Sequence, residues 1–117
     1  MARLATTYDV FNAIAEPARR DILSLLAQGE RAVTAIVEAL RLAQPAVSKH
    51  LRVLGEVGLV RARQVGRQRI YAVNAEALRP MHEWTGQFEA LWSKQLNEIK
   101  SAAEARARKA AAEKRHA

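Results

Sequence analysis

Apolar positions recur at helical spacing from the start of the chain. Leu4, Tyr8, Phe11 and Ile14 predict a first helix over residues 4–15 with one apolar stripe. Pro17 opens a second helix, at a position that tolerates its missing N–H. Ala18, Ile22, Leu25 and Leu26 line one face of that helix, and Gly29 is expected as its C′ residue in the left-handed region. Val33, Ile36, Val37 and Leu40 fall at i, i+3, i+4 and i+7, which predicts a third helix of about two turns. After a break at Arg41, Leu42 and Ala43, a fourth helix is entered through Gln44 and Pro45, with Val47, Leu51 and Leu54 facing inward. Two short helices joined by such a turn make a helix-turn-helix.

The period changes to two after Gly58, which stops the fourth helix. Residues 59–64 and 68–73 predict two strands of a hairpin around Val65, Gly66 and Arg67, with glycine available for a positive φ. Asn74 is placed to cap the next helical region, and Pro80 lies near the start of its main segment. Leu78, Met81, Trp84, Phe88, Leu91, Trp92, Leu96 and Ile99 then mark one face of a long helix. The expected fold is mostly α with a small β-hairpin wing, in the order α-α-α-α-β-β-α. Residues 1–100 form a winged helix-turn-helix domain whose last helix spans about residues 75–100. Residues 101–117 contain no Leu, Ile, Val or Phe. Alanine there favours helix, but nothing can be buried, so a frayed helical extension or a disordered basic tail is expected.

A small winged helix has little surface left to cover the aromatic stripe. Pairing with a second subunit is the expected solution, through the N- and C-terminal helices. Tyr8, Phe11, Leu78, Met81, Trp84, Phe88, Leu91, Trp92, Leu96 and Ile99 would form the dimer interface. The alternative is a last helix folded back over its own domain.

Composition narrows the partners. The 117 residues are half hydrophobic, enough for one folded domain, and carry a net charge of +7. That charge suits a polyanion, either nucleic acid or an anionic membrane surface. It is concentrated in residues 40–73, where Arg41, Lys49, Arg52, Arg61, Arg63, Arg67 and Arg69 face a single acid, Glu56. A basic helix followed by a basic hairpin suits a DNA major groove and its flanking phosphates. Cysteine is absent, which removes disulfides and thiolate metal sites. No apolar run approaches a transmembrane span and there is no signal-peptide pattern, so a cytoplasmic protein is expected.

On the fourth helix the inward stripe turns Pro45, Lys49 and Arg52 outward, with Gln44 and Ser48 on one flank and Ala46 on the other. Gln44 and Ser48 lie near the helix N-terminus, the part that usually reaches base edges. Gln pairs with adenine, Ser donates or accepts, and Lys reaches guanine, while Arg52 is better placed for a phosphate. His50 sits on the flank, in a structural or backbone-contact role. Arg67 at the hairpin tip and Arg69 beside it are candidate wing contacts to phosphates or a narrow minor groove. Arg61 and Arg63 share a strand face, and Arg63 is taken as a further DNA contact, with at least one of the two free to be simply solvated.

The run QPAVSKHLRVLGEVGLV followed by GRQRIYAV, in this order of elements, resembles the ArsR-type (arsenic-repressor-like) winged-helix family over roughly residues 7–100. The helix carrying Trp84 and Trp92 looks like the dimer helix of its cysteine-free branch. The resemblance implies a homodimeric repressor that binds an imperfect inverted repeat and often controls its own operon. Two positions depart from the family's habit of a glycine followed by a hydroxyl residue. Arg41 has to hold an unusual φ, and Ala43 gives up an N-cap worth about 1 kcal/mol.

The family's familiar metal sites are not expected here. The first helix of the helix-turn-helix has no thiol, and the last helix offers His82 and Glu83 with no second His before His116. No cofactor or metal ion is therefore expected, and no small-molecule effector can be named. An enzyme is not expected either, because Asp9, Asp21, His50 and His82 are scattered without nucleophile or paired-carboxylate logic. Two functions remain. One is a sequence-specific dimeric repressor whose partners are double-stranded DNA and itself, not a membrane. The other is an architectural or protein-interaction module that binds nucleic acid without reading sequence.

Overall fold

The computed structural model describes residues 9–116, so Leu4 and Tyr8 lie outside the described residues. Asp9 begins helix α1 (Val10–Ile14), its carboxylate accepting the Asn12 N–H at 2.7 Å. The carbonyls at the other end of this short helix are taken by arginines of α2 (Pro17–Leu26). Arg19 Nε donates to the Ala13 carbonyl at 2.5 Å, and Arg20 Nη1 donates to those of Ile14 and Ala15 at 2.6 and 3.2 Å. Cations at a helix C-terminus satisfy orphan acceptors and oppose the dipole. Pro17 opens α2 as expected. Gly29 is one residue further out than its predicted C′ position, because Ala27 is the C-cap. It adopts φ +151°, after Gln28 and Gly29 wind down through bonds to the Leu25 and Leu26 carbonyls.

A strand absent from the sequence prediction follows. Residues Arg31–Ala32 form β1, which pairs antiparallel with β3 (Gln68–Val73), itself paired to β2 (Val60–Val65). The sheet order is β1-β3-β2. The hairpin closes at Val65↔Gln68 over a two-residue loop, so the turn is shorter by one residue than predicted. Gly66 takes φ +62° there while Arg67 keeps a negative φ, the division of labour a II′ turn requires.

β1 runs directly into α3 (Val33–Leu40), and α4 (Gln44–Glu56) follows after a three-residue turn. Arg41 adopts the left-handed conformation, φ 55° and ψ 40°, that lets α3 stop and α4 start at a new angle. The end of α4 is a complete Schellman motif. Leu59 N–H bonds the Leu54 carbonyl at 2.9 Å, Gly58 N–H bonds that of Gly55 at 3.1 Å, and Gly58 takes φ +77°. Leu54 and Leu59 are both fully buried, so the motif also delivers the chain into the core.

That core holds Ile22, Leu26, Ile36, Val47, Leu51, Leu54 and Leu59, each essentially without exposure. Burying each is worth about 1.5–3 kcal/mol, so these side chains fix how α4 sits against α2 and α3. Val53 is buried as well.

Asn74 occupies the N-cap position of a 3₁₀ turn (Ala75–Leu78), but its side chain does not cap it. Its Nδ2 donates instead to the Gly58 carbonyl at 2.9 Å, and its backbone N–H bonds that of Leu59 at 2.8 Å. The residue ties the exit of the hairpin to its entrance, which satisfies a carbonyl left over by the Schellman turn.

The predicted single long helix is interrupted. It comprises α5 (Arg79–Gly86) and α6 (Glu89–His116), with Gln87 and Phe88 as the turn between them. Gly86 weakens helix locally, and the Gln87 side chain takes the Trp84 carbonyl at 2.8 Å. α6 continues through residues 101–116. The chain divides after His82 into two compact units.

Candidate nucleic-acid interface

The buried stripe of α4 decides what its other side shows. Gln44, Pro45, Ser48, Lys49 and Arg52 are exposed, and Ala46 and His50 are half-buried on the flanks. His50 Nδ1 is buried without a hydrogen-bond partner, so the ring is seated against protein rather than held out on the reading side. α4 also begins with its N–H groups unclaimed by a side chain, because Ala43 at the N-cap has no acceptor.

The wing meets α4 through one face of the hairpin. In the register, Val60↔Val73, Ala62↔Tyr71 and Gln64↔Arg69 share that face, while Arg61↔Ala72 and Arg63↔Ile70 share the other. A cleft of about 440 Å³ lies between α4 and the wing, lined by Ser48, Arg52, Val60, Ala62, Arg69 and Tyr71 among others. A second, of about 320 Å³, is lined by Ala32, Val33, Thr34, Gln44, Ser48, Arg67, Gln68, Arg69 and Tyr71. Candidate base readers from α4 and candidate phosphate ligands from the wing thus line one concavity. The Arg69 guanidinium is 5.8 Å from the centre of the Tyr71 ring, a cation–π contact that stiffens a long side chain in the cleft.

Arg63 is not part of this grouping. It lies on the far face of the wing and is ion-paired to Glu30. Arg52 is paired only loosely, with Nε 3.8 Å from Glu56 Oε1 and both side chains largely exposed. Such an i,i+4 pair is worth about 0.3–0.5 kcal/mol and is readily exchanged for a phosphate.

The family profile of bacterial regulatory proteins of the ArsR type matches residues 16–62, the span from the start of α2 into β2. The transcriptional repressor SdpR of Bacillus subtilis is 32% identical over 76 residues, 65% of this chain and 84% of SdpR. The crystal structure of an ArsR family transcriptional regulator superposes with a TM-score of 0.62 at 30% identity, covering 71% of this chain and 91% of that one. A homodimeric winged helix-turn-helix DNA-binding domain from Mycobacterium bovis matches with a TM-score of 0.58 at 34% identity, over 69% of this chain and 78% of that domain. The chain belongs to the ArsR family.

It is accordingly a transcriptional regulator with a DNA-binding winged helix-turn-helix, and its relatives are regulators rather than enzymes. Three polar cleft residues of this ArsR-family chain were not singled out from sequence: Thr34 on α3, Gln68 and Tyr71. Tyr71 was recoverable, since it follows Arg69 by two positions on a strand and so shares its face. Thr34 was not, because only the β1–β3 pairing brings the start of α3 beside the wing.

In the second unit, Trp84 (55%), Leu91 (58%), Trp92 (49%), Leu96 (64%) and Ile99 (64%) are exposed, and the Trp84 and Phe88 rings pack edge to face at 5.3 Å and 68°. In the first, Phe11 is 41% exposed, while Leu78 packs against the core and has less surface to offer a partner. Among the described residues no three His, Cys, Asp or Glu side chains are grouped so as to hold a metal ion. No helix among them is long and apolar enough to cross a membrane.

Proposed function

We propose that this protein is a homodimeric repressor acting in the cytoplasm on an inverted-repeat operator, its own promoter among the targets. Each subunit inserts α4 into a major groove, with half-sites about 34 Å apart, one helical turn. Gln44, Ser48 and Lys49 read bases, with Pro45 and Ala46 against the groove wall. Arg52, Arg67 and Arg69 hold phosphates, and His50 supports the helix. The observation that carries this reading is the concavity shared by Gln44, Ser48, Arg67 and Arg69, which joins readers to phosphate ligands on a rigid core. The exposed stripe of Trp84, Leu91, Trp92, Leu96 and Ile99 supports pairing of two such heads through the second unit, with residues 1–100 as the domain that carries both tasks.

The test is selection of bound fragments from genomic DNA, followed by gel-shift titration of variants on the selected operator and on random DNA. Gln44→Ala or Ser48→Ala relaxes discrimination by about 1–3 kcal/mol per altered base contact. Arg67→Ala weakens both DNAs alike and lowers the salt slope by about 0.9 per phosphate lost. Equal losses on both DNAs for all three variants overturn the assignment of roles. Binding abolished by random competitor would instead favour a module that does not read sequence.

A further inference from the structure

A second concentration of charge lies outside the winged helix. Residues 100–116 of α6 carry Lys100, Arg106, Arg108, Lys109, Lys114 and Arg115 against Glu104 and Glu113, a net +4 of the chain's +7. These residues are helical and, over 100–115, almost all exposed, and none of the six cations is held in an ion pair among the described residues. The segment contributes nothing to the apolar stripe, which ends at Ile99 and is followed only by alanines among the apolar residues.

Three ordinary explanations fall short. Lys114 and Arg115 complement the dipole at the end of α6, but that effect fades within one turn and does not reach Arg106, Arg108 or Lys109. A continued coiled coil needs an apolar seam, whereas at 100° per residue these cations are spread all around the axis. An anionic membrane surface is gripped by a helix with a bulky apolar face, and alanine supplies none. Charge on every side of a slender, unpartnered helix is matched instead by a dense linear polyanion. Residues 100–116 span about 24 Å at 1.5 Å per residue, and a duplex presents a phosphate charge about every 1.7 Å of its axis.

We infer that residues 100–115 are a second, sequence-independent grip on double-stranded DNA, holding phosphates beyond those bound by α4 and the wing. This rests on the reading of the protein as a DNA-binding dimer. The grip raises affinity and encounter rate without altering which bases are read.

The experiment compares the full chain with the variant Arg106→Gln, Arg108→Gln, Lys109→Gln, Lys114→Gln, since glutamine keeps helix propensity. Circular dichroism and sizing first establish unchanged helix content and assembly. Both proteins are titrated across salt concentrations on the selected operator alone and on the operator extended by about one helical turn (~10 base pairs) per side. On extended DNA the slope of log K against log salt falls by about 0.9 per phosphate released, at least ~2 for the complex, and low-salt affinity drops tenfold or more. On the bare operator the two proteins differ little, and their base preference is the same. Equal slopes and affinities on extended DNA overturn the inference, including where the variant loses binding to phosphatidylserine vesicles or to an acidic protein instead. If the wild type shows no operator preference but the variant still loses slope on random DNA, the repressor reading fails while the grip stands.

Discussion

Replacing Ala43 by threonine and, separately, by valine isolates one hydrogen bond at the start of the reading helix. Ala43 already has N-cap geometry, φ −66° and ψ 143°, and its carbonyl accepts the Val47 N–H at 3.1 Å. Pro45 has no N–H to offer, so a capping oxygen has the Ala46 N–H as its donor in the first turn. Residue 43 is exposed, so neither β-branched side chain meets the core. The two variants have nearly the same shape and the same backbone restriction, and differ in one hydroxyl. A side-chain N-cap is worth about 0.5–2 kcal/mol, typically ~1. With a urea m-value of about 1–3 kcal/mol/M, a cap of ~1 kcal/mol should place the threonine midpoint roughly 0.3–1 M above that of valine. Equilibrium unfolding followed by circular dichroism, at one fixed protein concentration, gives the comparison directly. Coincident midpoints, or valine above threonine, would mean that the first turn of α4 is satisfied by something other than a missing cap.

Arg41→Gly should leave the fold no less stable. Relief of a left-handed residue, about 1–2 kcal/mol, outweighs the ~0.5–1 kcal/mol entropy cost of glycine, while lost charge weakens DNA binding; a lower melting temperature would contradict this. Asn74→Ala and Asn74→Asp should both cost about 1–3 kcal/mol, because each removes the donor to the Gly58 carbonyl. Calorimetry showing the aspartate variant at wild-type stability would refute that account. Leu96→Glu, on the exposed stripe of α6, should raise the concentration at which the protein dissociates, and unchanged sizing by analytical ultracentrifugation would remove this stripe from the interface.

The helix-turn-helix was legible because its signals are local. A glycine stop, a proline entrance and i, i+4, i+7 stripes each act within a few residues, and Val47, Leu51 and Leu54 are buried as their spacing implies. What escaped was set by distant partners. β1 is two residues long and exists only because β3 offers it a free edge at Tyr71 and Ile70. Asn74 has good cap chemistry, but a stranded carbonyl at Gly58 competes for its side chain and wins. The stripe from Leu78 to Ile99 kept its period across Gly86, so nothing in its spacing revealed that the helix breaks there. Candidate readers on α4 followed from the inward stripe, whereas the separation of Arg69 from Arg63 needed the strand register and the position of Glu30.

The two-residue strand also bears on how such a protein releases DNA. Ala32 is at once the last residue of β1 and the N-cap of α3, so no slack chain separates that strand of the sheet from the helix-turn-helix. A torque applied to the hairpin is passed straight into α3, and the packed core carries it on to α4. The reading head therefore offers no slack joint between β1 and α3. A signal that frees the DNA would meet less resistance by altering the spacing between two such heads than by bending one of them.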